Sequence, residues 1–230
     1  REGSGIVGRD YEFVHHLVQE TTYSGIHHRR RRRLHRLIGA AMESLHADRA
    51  AIASALAHHF GAGGEAENAL HYHGVAAQEA AAVFAWNEAE QHYTRMLELL
   101  DQMDPQCAHA GRVRQRGQVL IDRAKLRFLQ ACLAARVGDR AALAALAEAS
   151  GTERLRVQAL IHRARYLNLD AQYGKAIAVA ETGLALPEAQ RDATARCHLL
   201  TQIGFAHYFL GQPRSALAAL ESALDIVQEA

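Results

Sequence analysis

The sequence predicts an all-α fold in which helical hairpins stack into a right-handed superhelix, with one short β-hairpin at the N-terminus. Three observations predict it. The 230 residues are dominated by Ala, Leu, Arg, Glu and Gln and include only three prolines, a composition that favours helix. Apolar residues recur at helical spacing in segment after segment. A skeleton of small residues also returns along the chain, as in proteins built from repeats. With 49% hydrophobic and 22% charged residues, the chain carries enough apolar surface for a packed core, which excludes a disordered polymer.

Taken in order, Ile6-Val7, Gly8-Arg9-Asp10 and Tyr11-Glu12-Phe13 read as two short strands around a turn. A short helix is expected over 16–26, closed by Ser24-Gly25. A stronger one is expected over 30–45, where Leu34, Leu37, Ile38, Ala41, Met42 and Leu45 form one apolar face. The next, 52–60, stops at Gly61, Gly63 and Gly64. Helices 65–84 and 87–100 pair across a turn near Trp86. Asp104-Pro105 opens a loop, and a long helix over 112–137 ends at Gly138-Asp139, followed by another over 141–149. Ser150-Gly151-Thr152 supplies a loop and an N-cap candidate. Helices over 153–169, 174–186, 192–210 and 214–228 complete the pattern.

The repeated skeleton is Ala176-x3-Ala180-x2-Gly183-Leu184 and Ala216-x3-Leu220-x2-Ala223-Leu224. It is matched in part by Ala89-x3-Tyr93-x2-Met96-Leu97 and Ala142-x3-Leu146-x2-Ala149. Small residues let paired helices approach, and larger ones a turn away fill the space between pairs. Ala164 and Gly204 lie 12 residues before Ala176 and Ala216. The skeleton resembles the tetratricopeptide repeat, whose period matches the interval of 34 between Ala142 and Ala176. The resemblance implies irregular repeats of that type over the C-terminal part of the chain.

A second resemblance covers residues 11–60. Tyr11-Glu12-Phe13-Val14-His15-His16-Leu17-Val18-Gln19-Glu20-Thr21-Thr22-Tyr23, then Arg32-Arg33-Leu34-His35-Arg36-Leu37-Ile38-Gly39, then Ala57-His58-His59-Phe60 look like the end of the winged-helix subdomain of bacterial signal-transduction ATPases with numerous domains. Ala69-Leu70-x-Tyr72 continues the match. The resemblance implies a winged-helix remnant with its linking helix over 1–48 and tetratricopeptide-like repeats over 49–230. It implies an upstream nucleotide-binding domain that uses ATP or ADP, a chain cut from a larger regulator, and a phosphate-sensing role for His15, with His16 standing where related ATPases carry an acid. No cofactor is expected within these residues, since no GxxxxGK[ST] loop is present.

The net charge of +1 argues against nucleic acid or an acidic membrane as partner of the whole chain. The local exception is the run Arg29, Arg30, Arg31, Arg32 and Arg33, a candidate contact for an anion or an acidic partner. Five consecutive arginines spread around a helix, so one nucleic-acid groove is not the expected partner. Tyr166, Tyr173, His207 and Tyr208 are candidates for a concave binding surface, with Phe205 and Phe209 nearby. Fifteen histidines invite a metal. The adjacent pairs His15-His16, His27-His28 and His58-His59 point about 100° apart on a helix, however, and HExxH is absent, so no metal site is expected. No G-x-S-x-G motif is present. The three cysteines, Cys107, Cys132 and Cys197, form no CxxC pair and suit a reducing cytoplasm. The function these readings predict is a non-catalytic sensor or protein-interaction module that relays binding of a protein partner or small-molecule inducer to the upstream domain. A constitutive docking scaffold is the alternative, and a nucleic-acid-binding module using the Arg29–Arg33 run is a further one.

Overall fold

The computed structural model describes residues 16–129 and 133–228. Among them every element is helical, with no strand. The expected hairpin over 6–13 and His15 lie outside the described residues. The chain divides into two compact units, the first reaching Tyr72 and the second starting at His73. The boundary expected at 48/49 falls inside the first unit. No helix is long and apolar enough to cross a membrane among the described residues.

In the first unit α1 (His16–Gly25), α2 (His28–Leu45) and α3 (Ala53–Gly63) are followed by the start of α4 (Ala66–Ala82). Gly64 ends α3 in the left-handed region at φ 78°, where its amide donates to Gly61 O and the Glu65 amide reaches back to Phe60 O. Only glycine adopts that conformation without strain, which is why the glycine cluster stops the helix. Helices α2 and α3 meet where Phe60 lies under Gly39: a Cβ on Gly39 would stand 3.2 Å from the Phe60 ring. Phe60 stacks in turn on Tyr72 at 5.6 Å, and the Tyr72 hydroxyl donates to the Glu43 carboxylate.

This packing corrects the apolar face expected for α2. Its buried residues are His35 and Gly39, whereas Leu34, Leu37, Ile38 and Leu45 are exposed. The contact with α3 needs a small residue for close approach, and the apolar stripe lies on another side of the helix. Hydrophobic periodicity reports that a stripe exists and not which neighbour meets it.

In the second unit α5 (Trp86–Met103), α6 (Ala110–Leu129), α7 (Leu133–Ser150), α8 (Glu153–Leu169), α9 (Tyr173–Leu184), a short α10 (Pro187–Arg191), α11 (Ala193–Phe209) and α12 (Pro213–Gln228) follow in order. Each long helix packs on the next, and α11 packs on both α8 and α9. One core gathers Val113, Leu120, Ile121, Leu143, Leu146 and Leu155. A second gathers Val157, Ile161, Ala164, Ala180, Leu199 and Ile203. Before α6, the buried Asp104 accepts the amides of Ala108 at 2.9 Å and His109 at 3.0 Å. Those two donors hold its carboxyl below the usual carboxylate range.

Three further expectations are corrected. Gly138-Asp139 does not end a helix, because α7 runs through it. Asp139 is tolerated there because its carboxylate, 2% exposed, is enclosed by Arg123 and Arg127. The segment expected to end at Leu186 stops at Leu184, and Pro187 starts α10, since proline suits a first helical turn and not an interior. Thr152 precedes α8 at the N-cap position, but its side chain makes no capping bond.

The repeat skeleton is met in part. Ala89, Ala164, Ala176 and Ala216 are buried. α11 and α12 approach closely at Gly204: a Cβ there would stand 2.7 Å from Leu220 Cγ and 3.3 Å from Ala216 O. Ala142, by contrast, is exposed, and its neighbour Leu143 enters the core. The interval of 34 therefore joins two positions that do not pack alike.

Candidate functional site

Of the arginine run on the first turns of α2, two members are engaged within the first unit. Arg31 lies over the Tyr23 ring at 4.6 Å and donates to Ile26 O at 3.4 Å. Arg32 lies against Gly64, at the C-terminal end of α3, where the helix dipole favours a cation. Arg29, Arg30 and Arg33 are exposed. The run thus splits between internal contacts and solvent, as consecutive helical residues must. Beneath it a relay of rings joins three helices: Tyr23 Oη is 2.9 Å from His35 Nε2, and His35 Nδ1 is 3.0 Å from His59 Nδ1. Burial comes first, then the neighbouring His58 and Arg31 charges, in pushing His35 below its ordinary value. His59 is lowered by burial, His35 and His58.

The structure separates the aromatic candidates. Tyr166 is buried, its hydroxyl donating to Ala124 O at 3.5 Å, so it belongs to the interior and not to a concave surface. Tyr173 stacks on Phe209 with ring centroids 5.4 Å apart and planes 13° from parallel. Phe205 lies 4.6 Å from the same ring, and Tyr208 meets it edge-on at 5.3 Å. Tyr208 is 68% exposed and Phe209 52%. His207 Nδ1 is 2.6 Å from Gln212 Oε1, a contact that braces the turn between α11 and α12. The half-buried Tyr173 and the exposed Phe205, Tyr208 and Phe209 form one aromatic patch.

Two cavities flank α8, and neither was anticipated from the sequence. One, of about 320 Å³, lies between α7, α8 and α9, with Ala144, Ala159 and Leu160 in its wall and Arg163 at its edge. The other, of about 380 Å³, lies between α6, α8 and α11 and is polar: Lys125 comes from α6, Arg154, His162 and Arg165 from α8, and His198 from α11. The signal was present on α8, where Arg154, Gln158, His162 and Arg165 recur at steps of three and four and so share a face.

The electrostatics of this second cavity are one-sided. Its carboxylate, Asp192, caps α11 by accepting the Ala195 amide at 3.0 Å. Lys125 stands 3.3 Å from Asp122. Arg165 lies over the Phe128 ring at 5.1 Å. Burial pushes the Arg165 guanidinium down. His162, 2% exposed, is pushed down to about 4 by burial first, then by Arg165, Lys125 and His198. His198 is lowered by burial, Arg165 and Lys125, against an opposing pull from Asp192. Burial, and after it the nearby positive charge, therefore disfavours protonation of both imidazoles.

No group of three His, Cys, Asp or Glu residues among those described could hold a metal ion. What the arrangement can do is bind: an exposed aromatic patch suits an apolar anchor, and a cationic cavity suits an anion. No family model matches the chain, and no curated protein matches it significantly.

Proposed function

We propose that the chain is a non-catalytic sensor and protein-interaction module of a larger ATP-dependent signalling or transcription regulator. In this reading the repeat-like helices of the second unit engage a protein partner or inducer. The N-terminal helices then relay that engagement to an upstream nucleotide-binding domain. The tetratricopeptide-like superhelix and the ATPase origin enter as part of the proposal, on the residue patterns of α2, α3 and the Ala/Gly skeleton.

The single observation that carries it is the patch formed by Tyr173, Phe205, Tyr208 and Phe209. Large aromatic rings held against one another at the surface leave apolar area in water, and such patches mark interaction sites. Tyr and Phe also lose little conformational entropy on binding, which makes them effective anchors. The partner that fits is a peptide or helix presenting an apolar side chain to the stacked rings. The arginine run is a weaker basis for nucleic-acid binding, because Arg31 and Arg32 are engaged within the first unit.

The test is selection of peptides from a displayed library on the intact chain, followed by fluorescence polarisation with Tyr208→Ser and Phe209→Ser. Loss of affinity of about tenfold or more, at unchanged thermal stability, supports the patch as the docking site. Unchanged affinity in both variants refutes it. Hydrogen exchange separates sensor from scaffold: a sensor changes protection in α1–α3 on peptide binding, and a constitutive scaffold does not.

A further inference from the structure

The polar cavity between α6, α8 and α11 has no role in that reading. We propose that it is a binding site for a small, free oxyanion carrying two or more negative charges, of the phosphate-ester type. In this site Arg165 is the central contact, Lys125 and Arg154 lie at the rim, and His162 and His198 are hydrogen-bond partners.

Three observations carry it. The cavity is a volume of about 380 Å³, at the small end of the range for ligand pockets, which favours a compact ligand. Three cations and one carboxylate, Asp192, which already caps α11, line it, and since Lys125 is also 3.3 Å from Asp122 the excess positive charge rests on Arg154 and Arg165. The central cation, Arg165, is half-buried against Phe128. Among the described residues no carboxylate pairs with Arg165; a guanidinium withdrawn from water in that way is costly, and the cost falls when an anion supplies the missing charge. Arginine's fixed fork of donors matches a phosphoryl group bidentately.

The cavity also couples binding to protons. His162 on α8 and His198 on α11 face Arg165 from α8, Lys125 from α6 and Asp192 at the start of α11. Burial first, and then the Arg165 and Lys125 charges, lower both imidazoles. A bound dianion reverses that field, so His198, the more accessible of the two, gains a proton as the anion enters. Affinity therefore rises as pH falls through the imidazole range. Sulfate is the informative probe because its own charge does not change over that range.

The experiment is isothermal titration calorimetry on the intact chain, in phosphate-free buffer at constant ionic strength. Inorganic pyrophosphate and sulfate are the probes, and acetate is the singly charged control. One-site binding of pyrophosphate is expected, with acetate inert. Arg165→Gln weakens it by about tenfold to a hundredfold, as removal of a charged hydrogen bond does. Lys125→Gln, at an exposed position that leaves folding intact, weakens it by about threefold. Arg163→Gln, at the edge of the other cavity, leaves it unchanged. Sulfate binds more tightly at about pH 6 than at about pH 8, and His198→Gln removes that difference. Absence of saturable binding overturns the proposal. So does equal affinity in wild type, Arg165→Gln and Lys125→Gln, or equal weakening by Arg163→Gln and Lys125→Gln. Because no partner peptide takes part, failure here leaves the docking proposal intact, and failure of peptide docking leaves this one intact.

Discussion

Replacing Asp139 by Asn removes the charge at the centre of an ion network that joins three helices. The carboxylate on α7 is 2% exposed, and the side chains of Arg123 and Arg127 on α6 are 12% and 14% exposed. Arg123 donates through Nη2 at 2.6 Å and through Nε at 3.2 Å, and Arg127 Nη1 lies at 2.8 Å. On α5, Arg127 also reaches Glu90 at 2.6 Å and Arg123 reaches Thr94 Oγ1 at 2.9 Å. Breaking a buried pair by removing one partner costs about 3–5 kcal/mol, because the remaining charge stays desolvated. Arg127 keeps Glu90 and Arg123 keeps only a neutral hydroxyl, so the expected loss lies near the lower bound, about 3 kcal/mol. For a chain of this length that lowers Tm by about 6–12 °C. Trp86, the single tryptophan, sits at the start of α5, so its fluorescence in a urea or thermal titration reports the unit that contains the network. A change below about 1 kcal/mol would refute the reasoning by showing that water reaches the network freely. The double substitution Asp139→Leu with Arg123→Met should cost less than Asp139→Asn alone, since it leaves fewer buried charges unpaired.

Two further outcomes follow from the packing and the histidines. Gly204→Ala places a methyl 2.7 Å from Leu220 Cγ and should cost about 1–3 kcal/mol in thermal unfolding, with much of the loss recovered by adding Leu220→Ala. His35 and His59 have folded-state values below the ordinary imidazole value. The unfolded chain therefore binds more protons, and stability of the first unit is full above about pH 6.5 and declines as pH falls below it. A circular-dichroism melt series across that range should show the slope, and His59→Gln should flatten it.

The helical character of the described residues was legible because composition and helical periodicity are local properties, whereas the short α10 and the start of α7 at Leu133 were not. α8 begins at Glu153 and ends at Leu169, the range expected from its pattern, and α11 begins behind the capping Asp192. The close contact at Gly204 was legible too, since a glycine beside a recurring alanine has few other uses in a helix interior. The helix boundary at Gly138-Asp139 was misread because a turn-forming pair stops a helix only when its side chain lacks a better partner. Here the partners, Arg123 and Arg127, lie on the preceding helix.

What the sequence by itself determined is the helical character of the described residues, with small residues where several helices touch, because those features depend on neighbours within a turn or two. The tertiary structure alone decided which face of α2 is buried, that Tyr166 is interior while Tyr208 is exposed, and that Lys125, Arg165 and His198 share one cavity. Those residues come from helices separated by dozens of positions, and no period along the chain encodes their meeting. Packing brings them together, and only there does their charge act on a common volume.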